Sequence, residues 1–175
     1  MKKVRCFFSV LFVFLLFSSP EACALSVESS AFSDGERIPD RYTCRGEDIS
    51  PELSWDGVPE NTESFILVVD DPDAPLGTWI HWVVYNIPGS ERSLKENVPK
   101  TMQLDNGTLQ GINSFRWIGY GGPCPPPGPA HRYMFKLYAL DTVLELRPGS
   151  SKGDVMRAAQ GHVLSQATLM GTYSR

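Results

Sequence analysis

The chain has 175 residues, 42% of them hydrophobic and 21% charged, with a formal net charge of −4. That length suits one hydrophobic core. The acidic balance argues against non-specific binding to nucleic acid or to an anionic membrane face.

The first element is a targeting segment. Lys2, Lys3 and Arg5 precede an apolar run from Phe7 to Phe17 broken only by Ser9, and Ser18-Ser19-Pro20 and Ala22-Cys23-Ala24 follow. A basic start, an apolar centre and a small-residue end predict a secretory signal peptide cut after Ala24. The apolar run is shorter than the roughly 20 residues that span a bilayer, so no permanent membrane anchor is expected. A lipoprotein anchor through Cys23 is disfavoured, because Pro20-Glu21-Ala22 lack the leucine and small pair expected before such a cysteine. The expected product is exported, periplasmic, and one domain over residues 25–175. Cleavage removes three of the 16 Lys and Arg and one of the 20 Asp and Glu, taking the formal charge from −4 to −6. No run of Lys or Arg remains. Cys44 and Cys124 are then the cysteines left, candidates for one disulfide in an exported domain. Two buried free thiols are the alternative.

Along the rest of the chain, short apolar runs alternate with Pro and Gly. Leu25 to Phe32 alternates weakly, as an opening strand would. Phe65 to Val69 is a continuous β-prone run that stops at Asp70-Asp71-Pro72-Asp73-Ala74-Pro75. Trp79 to Ile87 is aromatic and β-branched and ends at Pro88-Gly89, a turn signal. Strict alternation there puts Trp79, His81, Val83 and Tyr85 on one face. Tyr133 to Leu140 reads as a strand with a buried face. Ser150 or Ser151 can cap a helix starting near Lys152 and carrying Val155, Met156, Ala159, Val163 and Leu164, with Gly171 ending it. The expected fold is mainly β: a Greek-key-like β-sandwich with peripheral helices, including a C-terminal helix.

Two histidines carry the chemistry. His81 and His131 each open a strand-like run beside a stiffened loop, and a lone histidine in such a place is more often a hydrogen-bonded core residue. The aspartates change that balance. Pro72 and Pro75 restrict the backbone around Asp71 and Asp73, so these carboxylates are aimed. A carboxylate accepting one imidazole N–H fixes the tautomer and favours the protonated ring. Gly119, Gly121 and Gly122 permit close backbone approach, and their N–H groups could cradle an anion. Trp79, Tyr120 and Tyr133 are candidate walls.

The whole pattern resembles the phosphatidylethanolamine-binding protein family, and within it the bacterial Raf-kinase-inhibitor-like branch. The residues that carry the likeness are Asp-Pro-Asp-Ala-Pro at 71–75 with Trp79 and His81, the stretch Gly-Tyr-Gly-Gly-Pro-Cys-Pro-Pro-Pro-Gly at 119–128, and His131-Arg132-Tyr133. Arg41-Tyr42-Thr43-Cys44, Glu47-Asp48-Ile49-Ser50-Pro51 and Leu53-Ser54-Trp55 extend it upstream, so it covers about residues 26 to 170. The resemblance implies a β-sandwich with an anion pocket at one end, formed by Asp71, Pro75, Trp79, His81, Gly122, Pro123, His131 and Tyr133. Asp73 and Arg132 are expected to hold the loop.

Three functions are open at this point. The first is an exported binding or modulatory protein for a small phosphate- or carboxylate-bearing ligand, such as a phospholipid head group, with no metal or other cofactor. The second is a hydrolase or metal-dependent enzyme using Asp71, His81 and His131. Against it, neither histidine has a metal-ligand spacing and no Ser or Cys nucleophile stands beside them. The third is an inhibitor-like module for an envelope or host protein partner. His162 is assigned no role.

Overall fold

A computed structural model describes residues 24–175. The signal-peptide reading of residues 1–24 falls almost wholly outside them. In chain order the strands are β1 (Ser26–Glu28), β2 (Leu53–Asp56), β3 (Ser64–Asp71), β4 (Trp79–Pro88), β5 (Ser93–Leu94), β6 (Leu109–Ile112), β7 (His131–Leu140), β8 (Gly149–Ser151) and, after helix α1 (Lys152–Ala158), β9 (Val163–Tyr173). A single turn of 3-10 helix spans Asp40–Tyr42. Among the described residues no helix is long and apolar enough to cross a membrane.

The strands form two sheets. The smaller has the order β1-β2-β5 and the larger β8-β6-β4-β3-β7-β9. Strands β3, β4 and β6 are antiparallel neighbours, and β7 returns to lie beside β3. That order is a Greek key.

The main core lies between the sheets. Leu53, Trp55 and Leu94 of the small sheet pack with Phe65, Leu67, Val69, Trp82, Val84, Phe135 and Leu137 of the large one. A second cluster on the opposite face of the large sheet joins Ile66, Val68, Val83, Tyr85 and Leu140 to Leu144 and to Val155 and Ala159 of the α1 segment. β3 is thus buried on both faces along all eight residues, which is why its sequence is continuously apolar instead of alternating.

The C-terminal helix is much shorter than the sequence pattern suggested. Ser151 does cap it, its Oγ accepting the Asp154 N–H at 3.2 Å, but the helix ends at Ala158. Gly161, with φ +83°, turns the chain back, and Val163 and Leu164 begin β9 instead of extending α1. Gly171 ends no helix. It lies inside β9, where a Cβ would come within 2.5 Å of Ile38 Cγ1. Ten pairings with β7 outweigh the weak local helical spacing.

A bulge also overrides the alternation expected in β4. Val69 pairs with Trp82 and Asp70 with Ile80, so His81 is an extra residue on its strand. Beyond it, Trp82 and Val84 enter the inter-sheet core while Val83 and Tyr85 join the other cluster. The face shared by Trp79 and His81 therefore stops at His81.

Candidate functional site

The two histidine-bearing strands are not neighbours. β3 runs between β4 and β7, and its last residue, Asp71, pairs with Trp79. The end of β3 and the starts of β4 and β7 therefore coincide. Asp71, Trp79, His81, His131 and Tyr133 line one cleft of about 270 Å³, with Pro75 and Leu76 on one side and Cys124, Pro125 and Pro126 on another.

Adjacent aspartates serve opposite faces of the sheet. Asp70 is fully buried and its carboxylate meets Lys136 at 2.8 Å and Lys152 at 2.7 Å, tying the start of α1 to the sheet. Asp71, also buried, faces the cleft. Its Oδ2 takes Nδ1 of His131 at 2.7 Å, and its Oδ1 accepts the Asp73 N–H at 2.8 Å. Both carboxylate oxygens are therefore engaged.

His131 is the imidazole with the carboxylate partner. His81, only 3% exposed, has instead its Nδ1 2.6 Å from the Gly121 carbonyl oxygen, to which it donates. Burial pushes the pKa of His81 below the ordinary histidine value, against the pull of that carbonyl and of Asp71. The protonated ring expected beside a carboxylate does not describe His81. Among the described residues neither Nε2 has a hydrogen-bond partner, the hydrogen bonds of both rings being at Nδ1.

Tyr133 stands edge-on to His81 with ring centroids 5.2 Å apart. Its hydroxyl is buried without any hydrogen-bond partner among the described residues. Burial, followed by the nearby Asp71 charge, raises the phenol's pKa, so the group keeps its proton. A buried, unpartnered hydroxyl costs about 1–3 kcal/mol.

Gly122 and Pro123 do not line the cleft; they stand behind its wall. The Gly122 N–H donates to Asp48 Oδ1 at 2.6 Å, and the Pro123 carbonyl accepts the Cys44 N–H. The Gly121 N–H donates to the carbonyl of His81. Those two glycine N–H groups thus cradle no anion. Gly122 is needed for space, since a Cβ would lie 2.4 Å from the Tyr42 carbonyl oxygen. Tyr120 is likewise a core residue, its hydroxyl donating to the Tyr42 carbonyl.

Around this centre the loops are pinned. Asp73 receives the backbone N–H, Nε and Nη2 of Arg132 at 2.7–2.9 Å, and those bonds hold its carboxyl down at about 2. Cys44 and Cys124 are joined as a disulfide, with Cα atoms 5.4 Å apart. It ties the proline loop to the segment after Tyr42.

Sequence reasoning missed Phe115. Its ring meets Trp79 and His81 edge-on, each at 5.3 Å, and stacks on Trp117 at 4.8 Å. Asn113 shapes this loop, its Oδ1 accepting the N–H of Phe115 and Trp117 and its Nδ2 donating to the Gly119 carbonyl. Ser114 bonds Ile80 through backbone and side chain, docking the loop on β4. Two aromatics two residues apart, behind an Asn-Ser pair and ahead of a glycine, were the available signal.

Among the described residues no group of three or more His, Cys, Asp or Glu side chains is arranged to hold a metal ion. The cleft thus brings Tyr133 and both imidazoles together inside walls of Trp79, Phe115, Pro75, Pro125 and the 95% exposed Leu76.

Comparison with known proteins gives consistent matches. The family model described as phosphatidylethanolamine-binding protein matches residues 28–174. A protein of Methanothermobacter thermautotrophicus is 56% identical over 151 residues, covering 86% of this chain and 99% of the relative. One of Aquifex aeolicus is 50% identical over 169 residues, covering 95% and 98%. Both carry the description UPF0098 protein. Among solved structures, a phosphatidylethanolamine-binding protein homolog from Chlamydia trachomatis superposes with a TM-score of 0.80 at 43% identity, over 87% of this chain and 98% of that one. Escherichia coli YbcL, described as a member of the mammalian PEBP family, gives 0.81 at 34%, over 87% and 99%.

Proposed function

The chain belongs to the phosphatidylethanolamine-binding protein family, and from that premise we propose that it is an exported binding protein whose cleft takes a small phosphate- or carboxylate-bearing ligand. It acts by holding that ligand, as a modulator, with no bond made or broken. The observation that carries this reading is the Tyr133 hydroxyl, buried without a protein partner in a cleft shared with both histidines. A ligand oxygen is the acceptor it lacks.

In this reading Tyr133, His81 and His131 touch the ligand, and Asp71 orients His131. Trp79 and Pro75 wall it in, and Gly122 and Pro123 support the loop. Export to the periplasm rests on the basic and apolar pattern of residues 1–24. Assignment to the Raf-kinase-inhibitor-like branch rests on the motifs at 71–81 and 119–133.

Isothermal titration with inorganic phosphate, O-phosphoethanolamine and acetate tests the binding reading. Saturable binding to one site that moves the NMR signals of His81 and His131 is expected. Absence of binding for all three, or binding that leaves both histidines unmoved, refutes it.

A further inference from the structure

We propose, resting on the oxyanion reading above, that the cleft selects singly charged oxyanions over doubly charged ones, so that its occupant is a phosphate ester or carboxylate in its monoanionic state. The grounds are the charges that surround the cleft. No Lys or Arg lines it, and one wall is the Asp71 carboxylate. Sites built for phosphate dianions usually place a guanidinium fork, an ammonium or a helix N-terminus on the ligand. None of these is among the residues that line this cleft.

Two of the cations nearby in sequence or structure are committed elsewhere, and neither Arg116, next to Phe115, nor Arg175 is among the residues that line the cleft. Arg132 is bound to Asp73 by three hydrogen bonds. Lys100 is bound to Asp48 behind Gly122. Arg175 reaches Cys124, its Nη1 3.7 Å from the sulfur, but does not line the cleft.

The imidazoles do not make up the deficit. His81 is faced by Asp71, Asp48 and Asp70 electrostatically, by Tyr133 and Phe115 across its ring, and by the Gly121 carbonyl at Nδ1. With Nδ1–H donating to that carbonyl, Nε2 is an acceptor. His131 is faced by Asp71 at Nδ1 and lies opposite Tyr173 on β9. The formal charge that lines the cleft before any ligand arrives is the Asp71 carboxylate.

A second negative charge on the ligand then meets the Asp71 carboxylate in a partly enclosed cleft, with no Lys or Arg among the lining residues to offset it. A monoanion brings no second charge to Asp71 and accepts from the Tyr133 hydroxyl; one that also retains an acidic O–H can donate it to Nε2 of His81.

The test compares phenyl phosphate with methyl phenyl phosphate by titration calorimetry on the wild-type protein. The monoester loses its second proton near pH 6, so it is a dianion near pH 8 and a monoanion near pH 5. The diester is a monoanion throughout and reports the protein's own titration. The monoester should bind at least about tenfold more weakly than the diester near pH 8, and within about threefold of it near pH 5. Equal or tighter monoester binding near pH 8 overturns the inference and leaves the oxyanion reading standing. Failure of both compounds at both pH values overturns both. Dihexanoyl phosphatidylethanolamine and inorganic phosphate, run alongside, separate a lipid head group from a free ion as the source. The inference holds if the lipid binds alike at both pH values or the ion gains at least about tenfold near pH 5. It falls if the ion binds more tightly near pH 8.

Discussion

Asp71 and His131, 60 positions apart, meet at 2.7 Å through Oδ2 and Nδ1, while the other oxygen of the same carboxylate takes the N–H of Asp73. One side chain thus orients an imidazole and caps the turn that follows β3. An amide there can keep both contacts only by donating to Nδ1, which reverses the tautomer of His131. Asp71→Asn should therefore fold but lose about tenfold or more in phosphate affinity near pH 5, where phosphate is a monoanion, as read by calorimetry. Unchanged affinity would remove Asp71 from the site.

Tyr133→Phe should separate stability from binding. It deletes a hydroxyl that is buried without a partner, so the variant should be equal to the wild type or up to about 1 kcal/mol more stable in urea denaturation. Phosphate affinity should nonetheless fall about fivefold, the worth of one hydrogen bond of roughly 1 kcal/mol. A destabilised variant with unchanged affinity would make Tyr133 an ordinary core residue.

His81 sets an acid limb on stability. Its folded pKa lies below the ordinary 6.5, chiefly through burial, so the unfolded chain binds the proton more readily. The stabilisation is complete above about pH 6.5 and is lost as the pH falls through the folded value, with a slope of up to about 1.4 kcal/mol per pH unit. Urea melts between pH 8 and pH 5 should show this slope, and His81→Asn should flatten it. Parallel curves for the two proteins would contradict the argument.

The disulfide bears on both the fold and the cleft, because Cys124 lines the cleft and Cys44 belongs to the segment behind it. Replacing both by Ser should cost about 3 kcal/mol, a fall of about 10 °C in Tm, and should weaken ligand binding by freeing the Pro125 wall. Differential scanning calorimetry with and without phosphate reads both effects. If phosphate still raises Tm as much as in the wild type, the bridge holds the fold and not the cleft.

Asp70 is the control. It is buried on the other face, bridging Lys136 and Lys152. Both lysines keep about a third of their side chains exposed, so removing the acid lets them reach water. Asp70→Asn should cost about 2 kcal/mol and leave phosphate affinity unaltered; a change in affinity of about tenfold would show that the two faces are coupled.

By itself the sequence determined the strands whose signal is local and strong, and the residue types of the site. Phe65–Val69, Trp79–Ile87 and Tyr133–Leu140 fall within β3, β4 and β7 because β-branched and aromatic runs between turn residues have few other stable states. Proline and glycine likewise marked where the loops lie. Tertiary structure alone decided which side chains meet. Local pattern favoured a helix through Leu164, but pairing with β7 along the sheet edge made that segment a strand. Alternation kept Trp79, His81, Val83 and Tyr85 together, but one bulged residue split them between two cores. Motif membership put Gly122 in the cleft beside His131, but its N–H donates to Asp48, 74 positions away. Phe115 entered the site from a loop with no motif at all. Such contacts arise from the closure of distant segments, whose energies no local window contains. The two imidazoles are the clearest case: alike in sequence, they differ because one Nδ1 found a carboxylate and the other a carbonyl.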